Sequence, residues 1–282
     1  MEYLLDAFWD TWKTLPFLFL VYLLLEILEH KLSHHTLNMG RFGPVVGSAV
    51  GILPQCGFSV AATTLFNKQA ISLGTLLAVY LATSDEAIPI LLAHPQQSGT
   101  LIRLLAVKFI VGVLAGLLID LLFQRQPDAD CYCTQCHEPP AAPEHHHHHT
   151  TSTQAVLWHS ARKTLQIALF LVAVLFVLNL LIGLLGEERL ESLLLQGSWL
   201  QPLVCGLVGL IPTCVPSILI TQLFLEGSLS FSSAVAGLCT GAGMGILVLF
   251  KENHQPRTIA QVLALLYGCG VCAGLLLQLF GW

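Results

Sequence analysis

The chain has 282 residues, 55% of them hydrophobic and only 10% charged, with a formal net charge of −5. Its apolar residues fall in blocks of roughly 20 rather than in amphipathic stripes, which excludes an ordinary soluble domain and points to a polytopic helical membrane protein. There is no basic patch for nucleic acid, and nine cysteines in no regular framework argue against a disulfide scaffold.

The opening M-E-Y-L-L-D-A-F-W-D is acidic and lacks the basic region and cleavage site of a secretory signal, so the N-terminus is expected to be retained. The first long apolar block, 14–30, predicts a crossing helix, because about 20 residues cover about 30 Å. At its end Glu26, His30 and His34 recur at every fourth residue and share a face, a candidate metal-collecting mouth. Interfacial side chains reaching water are the plainer reading, and the order of residues is not the H-E-x-x-H of a zinc protease.

Two segments follow, 43–53 and 56–66, each too short to cross alone. They meet in G-I-L-P-Q-C at 51–56. Pro54 has no N–H and its ring displaces the carbonyl four residues back, and freed polar groups are tolerated in lipid only against protein or a water-lined cavity. Gly51 and Pro54 are therefore expected to shape a hairpin tip offering carbonyls, the Gln55 amide, the Cys56 thiol and the Ser59 hydroxyl to a substrate. A structural turn in which Cys56 is merely small and buried is the alternative.

The block 71–93 predicts the next span and contains T-S-D-E-A-I-P at 83–89. Adjacent carboxylates inside an apolar span are expensive and mark an ion or proton path. Asp85 and Glu86, with Thr83 and Ser84 beside them, are thus the charged part of the candidate site, and Pro89 is expected to break the helix and release the Asp85 carbonyl. An ion pair with Lys108, in the following span 100–123, is a blander reading that can coexist with it.

A polar segment, 125–157, separates membrane repeat 1 (1–124) from membrane repeat 2 (158–282). It carries Cys131, Cys133, Cys136 and His137, then His145, His146, His147, His148 and His149, ligands suited to Zn, Ni, Cu or Co. The histidine run is internal, unlike a purification tag, and cytoplasmic thiols stay reduced. The segment is expected to be disordered and to buffer or sense metal rather than conduct it.

In the second half the blocks 164–185, 229–250 and 258–281 predict spans, with a short pair 199–211 and 214–225 around G-L-I-P-T-C at 209–214. A shift of 158 superposes Gly51, Pro54, Cys56 and Ser59 on Gly209, Pro212, Cys214 and Ser217, which reads as a duplication. Gly209 and Pro212 then shape a second tip, and Thr213, Cys214 and Ser217 offer a second ligand set. Asp85 and Glu86 fall on Gly243 and Met244, so the carboxylates are not duplicated, although Met244 is a soft-ligand candidate. Gly237, Gly241 and Gly245 recur at every fourth residue and are expected to share a close-packing helical face. The other thiols, Cys205, Cys239, Cys269 and Cys272, read as small core residues.

If each short pair is a hairpin, Lys31, Arg41, Lys68, Arg125, Arg162, Lys163, Lys251 and Arg257 share one side, against Lys13, Arg103 and Arg189 on the other. That bias favours hairpins, both termini outside and a cytoplasmic central loop. The expected fold is all-α and polytopic, with two inverted-topology repeats of about five helical segments each and short hairpins meeting near the midplane, an architecture of secondary transporters. No phosphate-binding loop for ATP is present, so an ion gradient or the membrane potential must drive any transport.

The stretches G-I-L-P-Q-C-G-F-S, A-V-Y-L-A-T-S-D-E-A-I-P and G-L-I-P-T-C-V-P-S resemble a bacterial family of ten-helix heavy-metal exporters related to arsenical permeases. Members are also called manganese transporters, and many carry a His-rich central loop. The resemblance covers both halves and implies ten helices counting the short ones, metal export and the inner membrane. No enzymatic activity or resident cofactor is expected. Carboxylates, Gln55 and free carbonyls suit a hard or borderline cation such as Mn²⁺, whereas thiols suit Zn²⁺, Cu⁺ or trivalent arsenic. The expected function is export of a divalent cation, Mn²⁺ first, released as Asp85 and Glu86 take up protons. Its partners are the bilayer, metal ions and protons, and a homo-oligomer is compatible with these features. Competing classes are a metalloid efflux permease relying on Cys56 and Cys214, and a membrane metal sensor or metalloenzyme relying on the loop.

Overall fold

A computed structural model describes residues 42–55, 57–83, 87–93, 98–123, 199–253 and 255–281, with a few isolated positions besides. Among these residues there are ten helices and no strand: α1 (Gly43–Gly51), α2 (Gly57–Asn67), α3 (Leu73–Ala82), α4 (Ala87–Leu92), α5 (Ser98–Phe123), α6 (Gln201–Gly209), α7 (Cys214–Leu225), α8 (Phe231–Thr240), α9 (Met244–Glu252) and α10 (Pro256–Leu279). Among the described residues four stretches are long and apolar enough to cross a membrane: Leu73–Leu92, Gly99–Phe123, Phe231–Glu252 and Pro256–Leu279. The predicted mouth at Glu26, His30 and His34 and the Cys/His segment lie outside the described residues, as do Cys56, Ser84, Asp85 and Glu86.

The duplication seen in the sequence reappears in the elements. The starts of α1, α3 and α5 recur 158 residues later as those of α6, α8 and α10. Their caps match: α1 and α6 each carry a proline in the first turn, where its missing N–H has no helical acceptor to lose. Ser72 caps α3 by accepting from the Thr75 amide at 3.1 Å, and Ser230 caps α8 by accepting from the Ser233 amide at 3.2 Å.

Contacts between small residues give the helix directions. A Cβ on Gly47 would lie 3.2 Å from Val79, and one on Gly51 would lie 3.0 Å from Ala82, so α1 runs parallel to α3. From Asn67 at the end of α2 only six residue steps lead to Leu73 at the start of α3, a reach of about 21 Å. Thr63 Oγ1 meets Tyr80 Oη at 2.6 Å, so α2 returns antiparallel to α1 and α3. The second half repeats the pattern. Ser233 Oγ donates to Gln201 Oε1 at 2.9 Å and Thr240 Oγ1 to the Gly206 carbonyl at 2.8 Å, which sets α6 parallel to α8. The Phe224 and Phe231 rings lie 6.0 Å apart across the turn from α7 back into α8.

Two of the predicted spans are interrupted, the first already expected to break at Pro89 and the second expected to be continuous. The helix over 71–93 stops at Ala82 and resumes at Ala87, and that over 229–250 stops at Thr240 and resumes at Met244. The first break lies just before Pro89, the third residue of α4. A proline cannot bond the carbonyl four residues back, so it is best tolerated in the first turn of a helix, where it stands in α4. The chain leaves α3 at Thr83, whose ψ of 130° turns it out of the helix while its hydroxyl donates to the Val79 carbonyl at 2.8 Å. The second break has no proline. There Gly243 takes φ 54°, a left-handed conformation open to a residue without Cβ.

That break also corrects the expected glycine face, because one helix does not run through Gly237, Gly241 and Gly245. Gly237 faces Ile220 from α8, Gly241 faces Ser217 from the break, and Gly245 faces Tyr80 and Ser59 from α9. Close packing holds at Gly237 and Gly245, but against different partners. Between the halves α2 packs on α9 and α4 on α7. The central helices α3 and α8 are almost wholly buried, while α5 and α10 expose Ile102, Ile110, Leu114, Leu121, Leu276 and Leu279. An apolar outer face of that kind suits acyl chains.

Candidate functional site

The two helix interruptions are linked through one buried lysine, and each has a hairpin tip packed beside it. The first tip begins at Gly51, packed on Ala82 where α3 ends. The second begins at Gly209, whose Cα lies too close to the Gly237 carbonyl of α8 for a Cβ to fit. Beyond the second break, Gly245 brings α9 against Ser59, and a Cβ there would lie 2.8 Å from the Tyr80 ring. Thr63 ties these together, donating within reach of both the Ser59 carbonyl (2.7 Å) and the Gly245 carbonyl (3.2 Å).

Lys108 of α5 is fully buried. Its Nζ donates to the Thr83 carbonyl at the end of α3 and, at 2.7 Å, to the Leu238 carbonyl in the last turn of α8. The last carbonyls of a helix have no partner within it and carry partial negative charge. Both interrupted helices therefore direct their negative ends at one ammonium. In the second half the position of Lys108 is taken by Leu266, so the cation, like the carboxylates, occurs once. Sequence reading weighed Lys108 only as an ion-pair partner. Two of its acceptors are backbone carbonyls, which no residue type announces.

The other predicted residues fall as follows. Gln55 is half-buried at the first tip, Ser59 is buried in α2, and Thr83 is the buried cap of α3. Thr213 is buried just before α7, and its Oγ1 has no hydrogen-bond partner. An unpaired buried hydroxyl is costly, which marks Thr213 as a ligand candidate. Cys214 opens α7 half-buried, and Ser217 stands one turn on, its carbonyl accepting from Thr221 Oγ1 at 2.7 Å. Met244 is buried as the first residue of α9. Pro54 is exposed and Pro212 half-buried, each just beyond its glycine. Tyr80, Thr63 and Leu238 were not singled out by sequence; Thr63 and its duplicate Thr221 were the available signal.

Besides the sulfurs of Cys214 and Met244, the described candidate ligands are oxygens, those of Gln55, Ser59, Thr83, Thr213 and Ser217, chemistry that suits hard or borderline cations. Among the described residues no three of His, Cys, Asp and Glu come together. The carboxylates of the candidate site belong to the stretch 84–86 between α3 and α4.

Residues 1–179 and 152–281 match a family model described as "Putative, 10TM heavy-metal exporter". No curated protein and no solved structure matches the chain.

Proposed function

We propose that this chain, which belongs to the ten-transmembrane heavy-metal exporter family, is a secondary-active transporter that moves a divalent cation, Mn²⁺ first, out of the cell in exchange for protons. The observation that carries the reading is a pair of interrupted helices, one from each half, whose ends share Lys108 and each of which has a hairpin tip packed on it. Only one of those interruptions carries carboxylates. Discontinuous helices at a repeat interface are where transporters of this kind hold ions. Asp85 and Glu86 supply charge, Gln55, Thr83, Ser84 and Thr213 supply oxygens, and protonation of the carboxylates removes the charge that holds the metal.

The halves are read as inverted. The helix α10 runs antiparallel to α8, with Gly270 beside Cys239 and Gly274 beside Ala236. Pro256 therefore lies about 15 Å beyond the break, and α9 must run on in the direction of α8 for the short link 253–255 to reach it. At the end of α9, Glu252 accepts from Asn67 Nδ2 at 3.2 Å, and Asn67 lies at the level where α3 starts. Opposed α3 and α8 account for this meeting. Lys68, Lys251 and Arg257 then share one face, and the positive-inside bias makes it cytoplasmic, with the loop 125–157.

Replacing Asp85 with Asn is expected to abolish Mn²⁺ efflux from loaded vesicles while the protein still purifies as a folded species. Unchanged efflux would sink the carboxylate mechanism. A metalloid reading is favoured by the half-buried Cys214 beside the unpartnered Thr213 hydroxyl. It predicts that Cys214→Ser removes more transport than Asp85→Asn, with arsenite rather than Mn²⁺ accumulating in cells that lack the protein. Elemental analysis of such cells across a metal panel separates the two. Deleting 128–150 should tune export; complete loss of function with no flux defect at the membrane site would indicate a sensor instead.

A further inference from the structure

We propose that the carbonyl oxygens of Thr83 and Leu238 form a seat for one monovalent cation, shared between the two halves, and that Lys108 fills it as a tethered ammonium in place of a dissolved ion. Neighbouring carbonyls at the two helix ends have partners of their own. Val79 accepts from Thr83, Gly237 accepts from Thr240 Oγ1 at 2.9 Å, and Thr240 accepts from the Ala242 amide at 3.0 Å. Thr83 and Leu238 instead point their carbonyls at a single fully buried ammonium.

Two acceptors carrying helix-end partial charge, one from each half, make a coordination fragment for a small cation. An ammonium is a compact charge with three donors and satisfies the same oxygens. Because Lys108 is anchored in α5 of the first half and reaches α8 of the second, it is a positioning residue that holds the two interruptions at a fixed separation. Leu266 at the duplicated position leaves a single seat. The chain thus carries its own structural cation and needs neither sodium nor potassium to close its halves.

The test uses the full-length protein, wild type and Lys108→Ala, melted in choline, sodium, potassium and methylammonium chloride at equal ionic strength. Wild type is expected to melt alike in all four. Lys108→Ala should melt several degrees lower in choline and recover most of that loss in methylammonium or sodium, which refill the vacated seat. Lys108→Met, whose apolar stem fills the space, should respond to none of them, and Lys108→Arg should melt near wild type. Lys108→Ala melting alike in choline and in every small cation overturns the seat. So does a cation response in Lys108→Met equal to that in Lys108→Ala, and so does a Lys108→Ala protein unrecoverable with or without methylammonium.

The seat's place in transport rests on the exporter reading, and methylammonium should restore metal flux to Lys108→Ala vesicles. Melting does not depend on the cargo, so a wild type that fails to export Mn²⁺ defeats the cargo assignment and leaves the seat standing.

Discussion

Thr63 shows how one hydroxyl can join the halves. It lies within hydrogen-bond distance of the Tyr80 hydroxyl (2.6 Å) and of the carbonyls of Ser59 (2.7 Å) and Gly245 (3.2 Å), yet it has one proton to give. Tyr80→Phe leaves Thr63 two carbonyl acceptors, and a loss of about 1 kcal/mol or less is expected. Thr63→Val strands the fully buried Tyr80 hydroxyl and should cost about 1–3 kcal/mol. Thermal melting of the purified variants checks the order, and a Tyr80→Phe protein less stable than Thr63→Val would refute it. The duplicated Thr221 keeps the local bond to the Ser217 carbonyl, but its half offers Leu238 where the first half has Tyr80. Sequence reading sees the paired threonines and misses the bridge, because Gly245 takes part through its backbone.

Among the elements, α3 depends on a clamp from a distant helix. Asp120 of α5 accepts from the Gly74 amide at 2.8 Å and from Ser72 Oγ at 2.7 Å, adding negative charge to the first turn where free amides collect. Asp120→Ala should lower stability by about 1–2 kcal/mol. Ser230→Ala in α8, which loses a cap but no carboxylate, should cost less; melting of the two variants decides. Ser72 and Ser230 are legible as caps because the bond is local. Asp120 is not, since its partners lie 46 and 48 residues away in sequence. The interruption in 229–250, which no proline marks, was hidden for a related reason. Hydropathy reports whether a segment avoids water, and a helix broken inside a protein avoids it as well as a continuous one.

For the whole molecule, the proposed inversion of the halves predicts which turns share a face. Gln69 and Gln255 are exposed in turns of different halves, and cysteines placed there should react with an impermeant maleimide from the same side, above the background of native thiols. Gly99 and Ser228, also exposed, should report the opposite side; labelling of Gln69→Cys and Gln255→Cys from opposite sides would show parallel halves. By itself the sequence determined the segment lengths, the two glycine-proline tips, the duplication at 158 residues and the single copy of Asp85, Glu86 and Lys108. These follow from composition and chain order, which residue types express directly. Only the tertiary structure decided that the second span breaks between α8 and α9, that the tips dock on the ends of α3 and α8, and that Lys108 joins those ends. Those contacts are made largely by carbonyls and by glycines lacking a side chain, groups whose partners depend on where the backbone goes rather than on which residue carries them.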